Sequence, residues 1–299
     1  MSQMTENRFF RGHKRRGSFD LFSSYDHFVP GWSGVMMLVL MFGLGIGLGA
    51  LLQLTLITFA GNALMAKYGM LITYPVMFIP ALIYASAASR AKEHLVPAVP
   101  VDQKLQTNDR KTSATVIFAC IFSTIAAAYI LEAVTMLLPE MPESVKAQLE
   151  LLMKGMPTWV AFITVAIYAP LFEEWLCRGL VLRGLLQKTR PAVAFIVSAV
   201  FFAVIHGNLW QAVPAFGMGL LFAYVYFRTG SLKLTMLMHF ANNAMALFTS
   251  KIPQFEDAET FMDVLSPWAY WCVFAACLVI VASSIILIKS STTRSQSVN

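Results

Sequence analysis

The stretch "GVMMLVLMFGLGIGLGALLQLTLITFA", Gly34 to Ala60, contains twenty-seven residues and no charged side chain. As a helix rising 1.5 Å per residue it would extend about 40 Å, more than the ~30 Å hydrocarbon core of a bilayer. It is too long for the apolar core of a signal peptide and follows a polar, basic segment, which predicts a retained first membrane span. The whole composition agrees. Hydrophobic residues make up 58% and charged residues 13% of 299, where a soluble domain carries roughly 25% charged. Further apolar runs lie near 69–88, 114–138, 157–182, 192–206, 211–228, 232–249 and 267–288. With the first span near 34–60 they predict an all-α polytopic membrane protein, about eight transmembrane helices enclosing an intramembrane cavity.

The expected organisation is a basic cytoplasmic tail over 1–30, one membrane-embedded helical domain over 31–290 and a second cytoplasmic tail over 291–299. A net charge of +6 raises the question of nucleic acid, but the distribution of charge points to membrane topology instead. Threading eight spans with the N-terminus inside puts 18 of the 22 Lys and Arg on the inner side, leaving Lys67, Lys146, Lys154 and Lys251 outside. By the positive-inside rule both termini are then cytoplasmic, in the cytoplasmic membrane if the source is bacterial. Lipid is an expected partner and nucleic acid is not. The four cysteines, Cys120, Cys177, Cys272 and Cys277, form no C-x-x-C pair, which argues against a disulfide framework or zinc knuckle.

Several features read as structural. Gly43 and Gly47, like Gly45 and Gly49, are four apart and suit close helix packing rather than a nucleotide loop. Pro75 and Pro80 read as kinks, and Glu132 as a group solvated at the outer rim. Val145, Leu149, Leu152 and Met156 recur at helical spacing and predict a helix lying on the outer interface. The polar segments 1–30 and 89–113 carry no recognisable site chemistry.

The ionisable groups inside the spans are different. Each costs on the order of 3 kcal/mol by insertion scales and so calls for a partner or a function. "PLFEEWLCRGLVLRG", from Pro170, sets Glu173 beside Glu174. Neighbouring residues on a helix point about 100° apart, so the two carboxylates cannot both face one small cavity. Glu174 and Arg178, at i and i+4 with the acid first, predict an ion pair, which leaves Glu173 the freer carboxylate. His206 closes the fifth span ahead of Gly207, a candidate left-handed helix stop. His239 precedes Asn243 by one turn, on the same helical face. Counted from the inner helix ends, Glu173, His206 and His239 can all reach a cavity open to the inner side. Cys177, four residues after Glu173, reads as a packing thiol.

Together these residues spell E-E-x-x-x-R (Glu173, Glu174, Arg178), F-x-x-x-H (Phe202, His206) and H-x-x-x-N (His239, Asn243), in order on three separate spans. Over residues 157–245 the chain thereby resembles the CPBP family, the CAAX protease and bacteriocin-processing membrane proteins that include the type II CAAX prenyl endopeptidases. The resemblance implies an intramembrane endopeptidase acting on a membrane-associated or lipid-modified peptide or protein. Glu173 and His206 would activate water, His239 and Asn243 would stabilise the oxyanion, and Glu174, Arg178 and Phe202 would support them. Members of the family have been read both as metalloproteases and as glutamate-dependent enzymes. No cofactor is favoured, because every motif residue has a role without an ion; zinc on Glu173, His206 and His239 stays open. The alternative function is a proton-coupled transporter using the same Glu/His cluster as a relay.

Overall fold

The computed structural model describes residues 21–105, 107, 109–151, 155–255, 258 and 260–292, so most of the two expected tails lies outside the described residues. Apart from short 3₁₀ turns, the described elements are α1 (Trp32–Ala60), α2 (Asn62–Tyr68), α3 (Met70–Lys92), α4 (Arg110–Thr135), α5 (Glu143–Glu150), α6 (Thr158–Leu186), α7 (Pro191–Val204), α8 (Leu209–Thr229), α9 (Leu232–Thr249) and α10 (Pro267–Ser291). No strand occurs among the described residues. The helices begin where the sequence supplies orphan N–H groups with partners. Asp109 accepts from the Thr112 N–H at 2.8 Å to open α4, and Asn208 accepts from the Gln211 N–H at 2.9 Å to open α8. Pro191 and Pro267 stand in the first turns of α7 and α10, where no N–H is missed. Gly207, the expected stop after α7, has φ +76°.

Each expected span is a helix, but six, α1, α3, α4, α6, α8 and α10, are long and apolar enough to cross a membrane. The count of eight is therefore not reached by length and composition. α7 has 14 residues, about 21 Å of helix. α9 dilutes its 18 residues with Lys233, His239, Asn242 and Asn243.

α6 is the most enclosed span and packs against α3, α7 and α9. α10 leans on α4 at the edge and turns Val279 and Ile286 outward, as lipid contact allows. Glycines set two close approaches. A Cβ on Gly45 would lie 1.9 Å from the Met77 carbonyl oxygen, and one on Gly219 would lie 3.0 Å from Ala199 Cα. Gly49 also faces α3, whereas Gly43 and Gly47 face open space, so one of the two expected glycine pairs makes the packing.

The segments read as plain tail and loop prove to be structural. Arg183, 1% exposed, donates to the carbonyls of Tyr25 at 2.9 Å and Phe28 at 2.6 Å, and also to that of Val99. Asp26 accepts from the Val101 N–H at 3.0 Å, and Tyr226 donates to the Val101 carbonyl at 2.7 Å. Residues 22–28 and 96–103 are thus clasped against α6 by the buried Arg183 guanidinium and against α8 by the Tyr226 hydroxyl, and Phe22 and Tyr25 set their rings edge-on to Trp175. Arg178 and Arg183, counted above as inner-side charges, are both buried. Glu132 is not merely solvated: its Oε1 accepts from the Phe261 N–H at 2.8 Å and ties α4 to the segment before α10. Of the helix expected through Met156, Glu143–Glu150 forms as α5 with no buried residue; Leu152 lies outside the described residues, and Met156 lies beyond α5 and packs with Val160 and Leu247.

Candidate active site

The carboxylate pair sits in an irregular helix. Two stretches of α6, Phe162–Tyr168 and Trp175–Leu182, are π-helical and bracket the α-helical Ala169–Glu174. Such wide turns are rare, cluster at functional sites and leave carbonyls open to outside donors. Neighbouring helices supply those donors. Asn243 Nδ2 donates to the Val165 carbonyl at 2.9 Å, and Ser198 Oγ donates to the Cys177 carbonyl at 3.0 Å. Two helices are thereby pinned to α6 on either side of the glutamates. The uniform 100° step used on the sequence does not hold through Trp175–Leu182, though the first i, i+4 pair survives.

That pair is the expected one. Arg178 Nη1 donates to Glu174 Oε1 at 2.8 Å, with both side chains fully buried. Arg178 Nη2 also donates to the Gly219 carbonyl at 3.2 Å, and its Cζ stands 4.3 Å over the Phe202 ring and 5.2 Å over the Phe222 ring. Glu174 Oε1 further meets His239 Nδ1 at 3.1 Å. The His239 ring stands edge-on to Phe202, centroids 5.4 Å apart, and Phe202 is in turn edge-on to His206 at 5.1 Å. A charged, buried cluster thus runs from Arg178 through Glu174 to His239, with Phe202 as the wall between the two imidazoles.

Hydrogen-bond direction fixes part of the proton placement. A carbonyl only accepts, so His206 Nδ1, 2.8 Å from the Phe202 carbonyl, carries the hydrogen; in the neutral ring Nε2 is then the lone-pair atom. His239 Nδ1 donates to the arginine-paired Glu174, so its Nε2 donates as well only in the doubly protonated ring.

Glu173 has a separate neighbour. Its Oε1 accepts from the Tyr74 hydroxyl of α3, while Oε2 is buried with no hydrogen-bond partner. No hydrogen bond joins Glu173 to His206 or His239 among the described residues. Asn243, one turn beyond His239, is held at its oxygen by Asn242 Nδ2 at 3.0 Å and at its nitrogen by the Val165 carbonyl. That nitrogen keeps a second hydrogen to offer. Cys177 is fully buried beside this cluster, as a packing thiol would be. Sequence reading missed Tyr74, Asn242, Phe222 and the Gly219 carbonyl.

Among the described residues no three His, Cys, Asp or Glu side chains stand close enough to hold a metal ion. Glu173, His206 and His239 form no such group as placed.

Comparison with known proteins bears on the same helices. Residues 155–245 match the family model "Type II CAAX prenyl endopeptidase Rce1-like". A protein of Bacillus subtilis (strain 168) named "Putative membrane peptidase YdiL" is 27% identical over 101 residues, which cover 34% of this chain and 40% of that relative. The matched part is thus less than half of the relative's length. No solved structure matches. The matched segment covers the three motifs on α6, α7 and α9, and with six helices long and apolar enough to cross a membrane the chain is a multi-pass integral membrane protein whose residues 155–245 are similar to the type II CAAX prenyl endopeptidase Rce1-like family.

Proposed function

We propose that the protein is an intramembrane endopeptidase that hydrolyses a peptide bond of a membrane-associated or lipid-modified substrate. The observation that carries this reading is Glu173: a buried carboxylate in the family-matched segment, one oxygen held by Tyr74 and the other without a protein partner. An unpartnered buried acceptor costs free energy and is suited to a water molecule. In the proposed reaction Glu173 Oε2 takes a proton from that water as it attacks the substrate carbonyl carbon, with His206 Nε2 as a second acceptor for the water. The carbonyl oxygen becomes an oxyanion and accepts from the free Asn243 Nδ2 hydrogen and from protonated His239 Nε2. Such donors are worth about 3 kcal/mol each in a dry site. The proton held by Glu173 then passes to the leaving nitrogen as the C–N bond breaks. Glu174 and Arg178 hold the His239 ring and do not touch the substrate.

No step is assigned to a metal. The orientation that fits this reading places both termini inside, with the site opening toward the inner face. The test is a comparison of membrane peptides in cells making the wild-type or the Glu173→Ala protein. Peptides whose cleavage depends on Glu173 support the reading. Identical peptide sets, with solute flux that depends on Glu173, would favour the transporter alternative.

A further inference from the structure

We propose that Tyr74, on a helix outside the family-matched segment, is a positioning residue that fixes the Glu173 carboxyl group so that Oε2 alone faces the attacking water. The role deepens the peptidase reading and rests on it. Three observations converge. The Tyr74 hydroxyl donates to Glu173 Oε1, and Glu173 is 8% exposed with Oε2 lacking any partner. A carboxylate with four acceptor positions and one fixed donor has its plane set by that donor. The donor is itself held by a stack of rings. Tyr74 lies against Phe78 at 5.5 Å between centroids, Phe78 stacks on Phe172 at 5.2 Å with an interplanar angle of 20°, and Phe42 of α1 closes on Phe78 at 5.1 Å. Phe172 is the residue before Glu173, so the stack ties the phenol and the carboxylate to one another. α3 is in turn pressed onto α1 at Gly45 and Gly49, leaving it little freedom to withdraw.

A helix-joining hydrogen bond with no catalytic consequence is the competing account. The two differ in kinetics. A general base must hold its acceptor lone pair on the water, and small misplacements can cost on the order of 100-fold. Tyr74 touches neither water nor substrate in the proposed step, so its loss acts on turnover.

The experiment compares wild type, Tyr74→Phe and Glu173→Gln in liposomes, using a membrane peptide whose cleavage depends on Glu173. Phenylalanine keeps the ring stack and removes only the hydroxyl. We expect kcat to fall about 10–100-fold with KM within about twofold. Infrared difference spectra supply the second readout: the carboxyl band that disappears in Glu173→Gln should shift in Tyr74→Phe. Unchanged kcat in Tyr74→Phe overturns the role, as does a loss of activity with the Glu173 band unmoved. A search of membrane peptides that finds none cleaved in a Glu173-dependent way would sink the peptidase reading and this role with it. An active wild type beside an equally active Tyr74→Phe overturns the role alone.

Discussion

At the scale of the residue, Glu173 and Glu174 occupy adjacent positions with different partners, and substitutions should separate them. Glu173→Gln keeps the Tyr74 hydrogen bond and removes the base; cleavage should fall roughly 10²–10⁴-fold with the protein still folded in the membrane. Glu174→Gln should lower yield and thermal stability instead, because Arg178 keeps a buried charge without its carboxylate. Breaking a buried pair of this kind costs about 3–5 kcal/mol. Unfolding midpoints and peptide cleavage measured on both variants check the pair; equal, fold-neutral loss of activity would merge the two roles. The division was legible in the sequence because an i, i+4 Glu–Arg spacing is a local rule. Tyr74 was not, because it reaches Glu173 across 99 positions and no local rule links α3 to α6.

At the scale of the element, helices α1 and α3 carry no motif residue yet set the position of Tyr74. Gly45→Ala places a methyl group against the Met77 carbonyl, whereas Gly43→Ala meets open space. The first should depress expression and cleavage together and the second neither, as read by detergent-resistant yield and peptide turnover. The Arg183 clasp makes a further test. Arg183→Leu abandons the carbonyls of Tyr25, Phe28 and Val99, each costing about 1–3 kcal/mol if left dry. Limited proteolysis of the protein in detergent should then cut between residues 21 and 31 sooner than in wild type, and unchanged cutting would refute the clasp. Helix positions followed from apolar runs and capping residues. The π-helical turns of α6 did not, since they depend on Asn243 and Ser198 arriving from other helices to take up the Val165 and Cys177 carbonyls.

At the scale of the whole molecule, apolar composition dictated a helical membrane protein, and the three polar motifs marked the part that the family comparison matches. What composition could not convey was that the polar 96–103 loop and residues 22–28 close the C-terminal end of α6, because that closure depends on the tertiary reach of Arg183. Cysteines introduced near Ser18 and Ser295 should resist an impermeant thiol reagent applied to intact cells, while one near Glu256 should react; all three positions lie outside the described residues. Labelling at Ser18 in sealed cells would reverse the assignment. The central claim is hydrolysis by Glu173 within the membrane, without an ion at Glu173, His206 and His239. Its most direct test is peptide cleavage by chelator-washed protein in liposomes, with metal content measured on the same sample. The account predicts full cleavage by protein that carries far less than one zinc per chain, and cleavage lowered at least about 100-fold by Glu173→Gln. One zinc per chain, with activity lost on its removal and restored on its return, would contradict it.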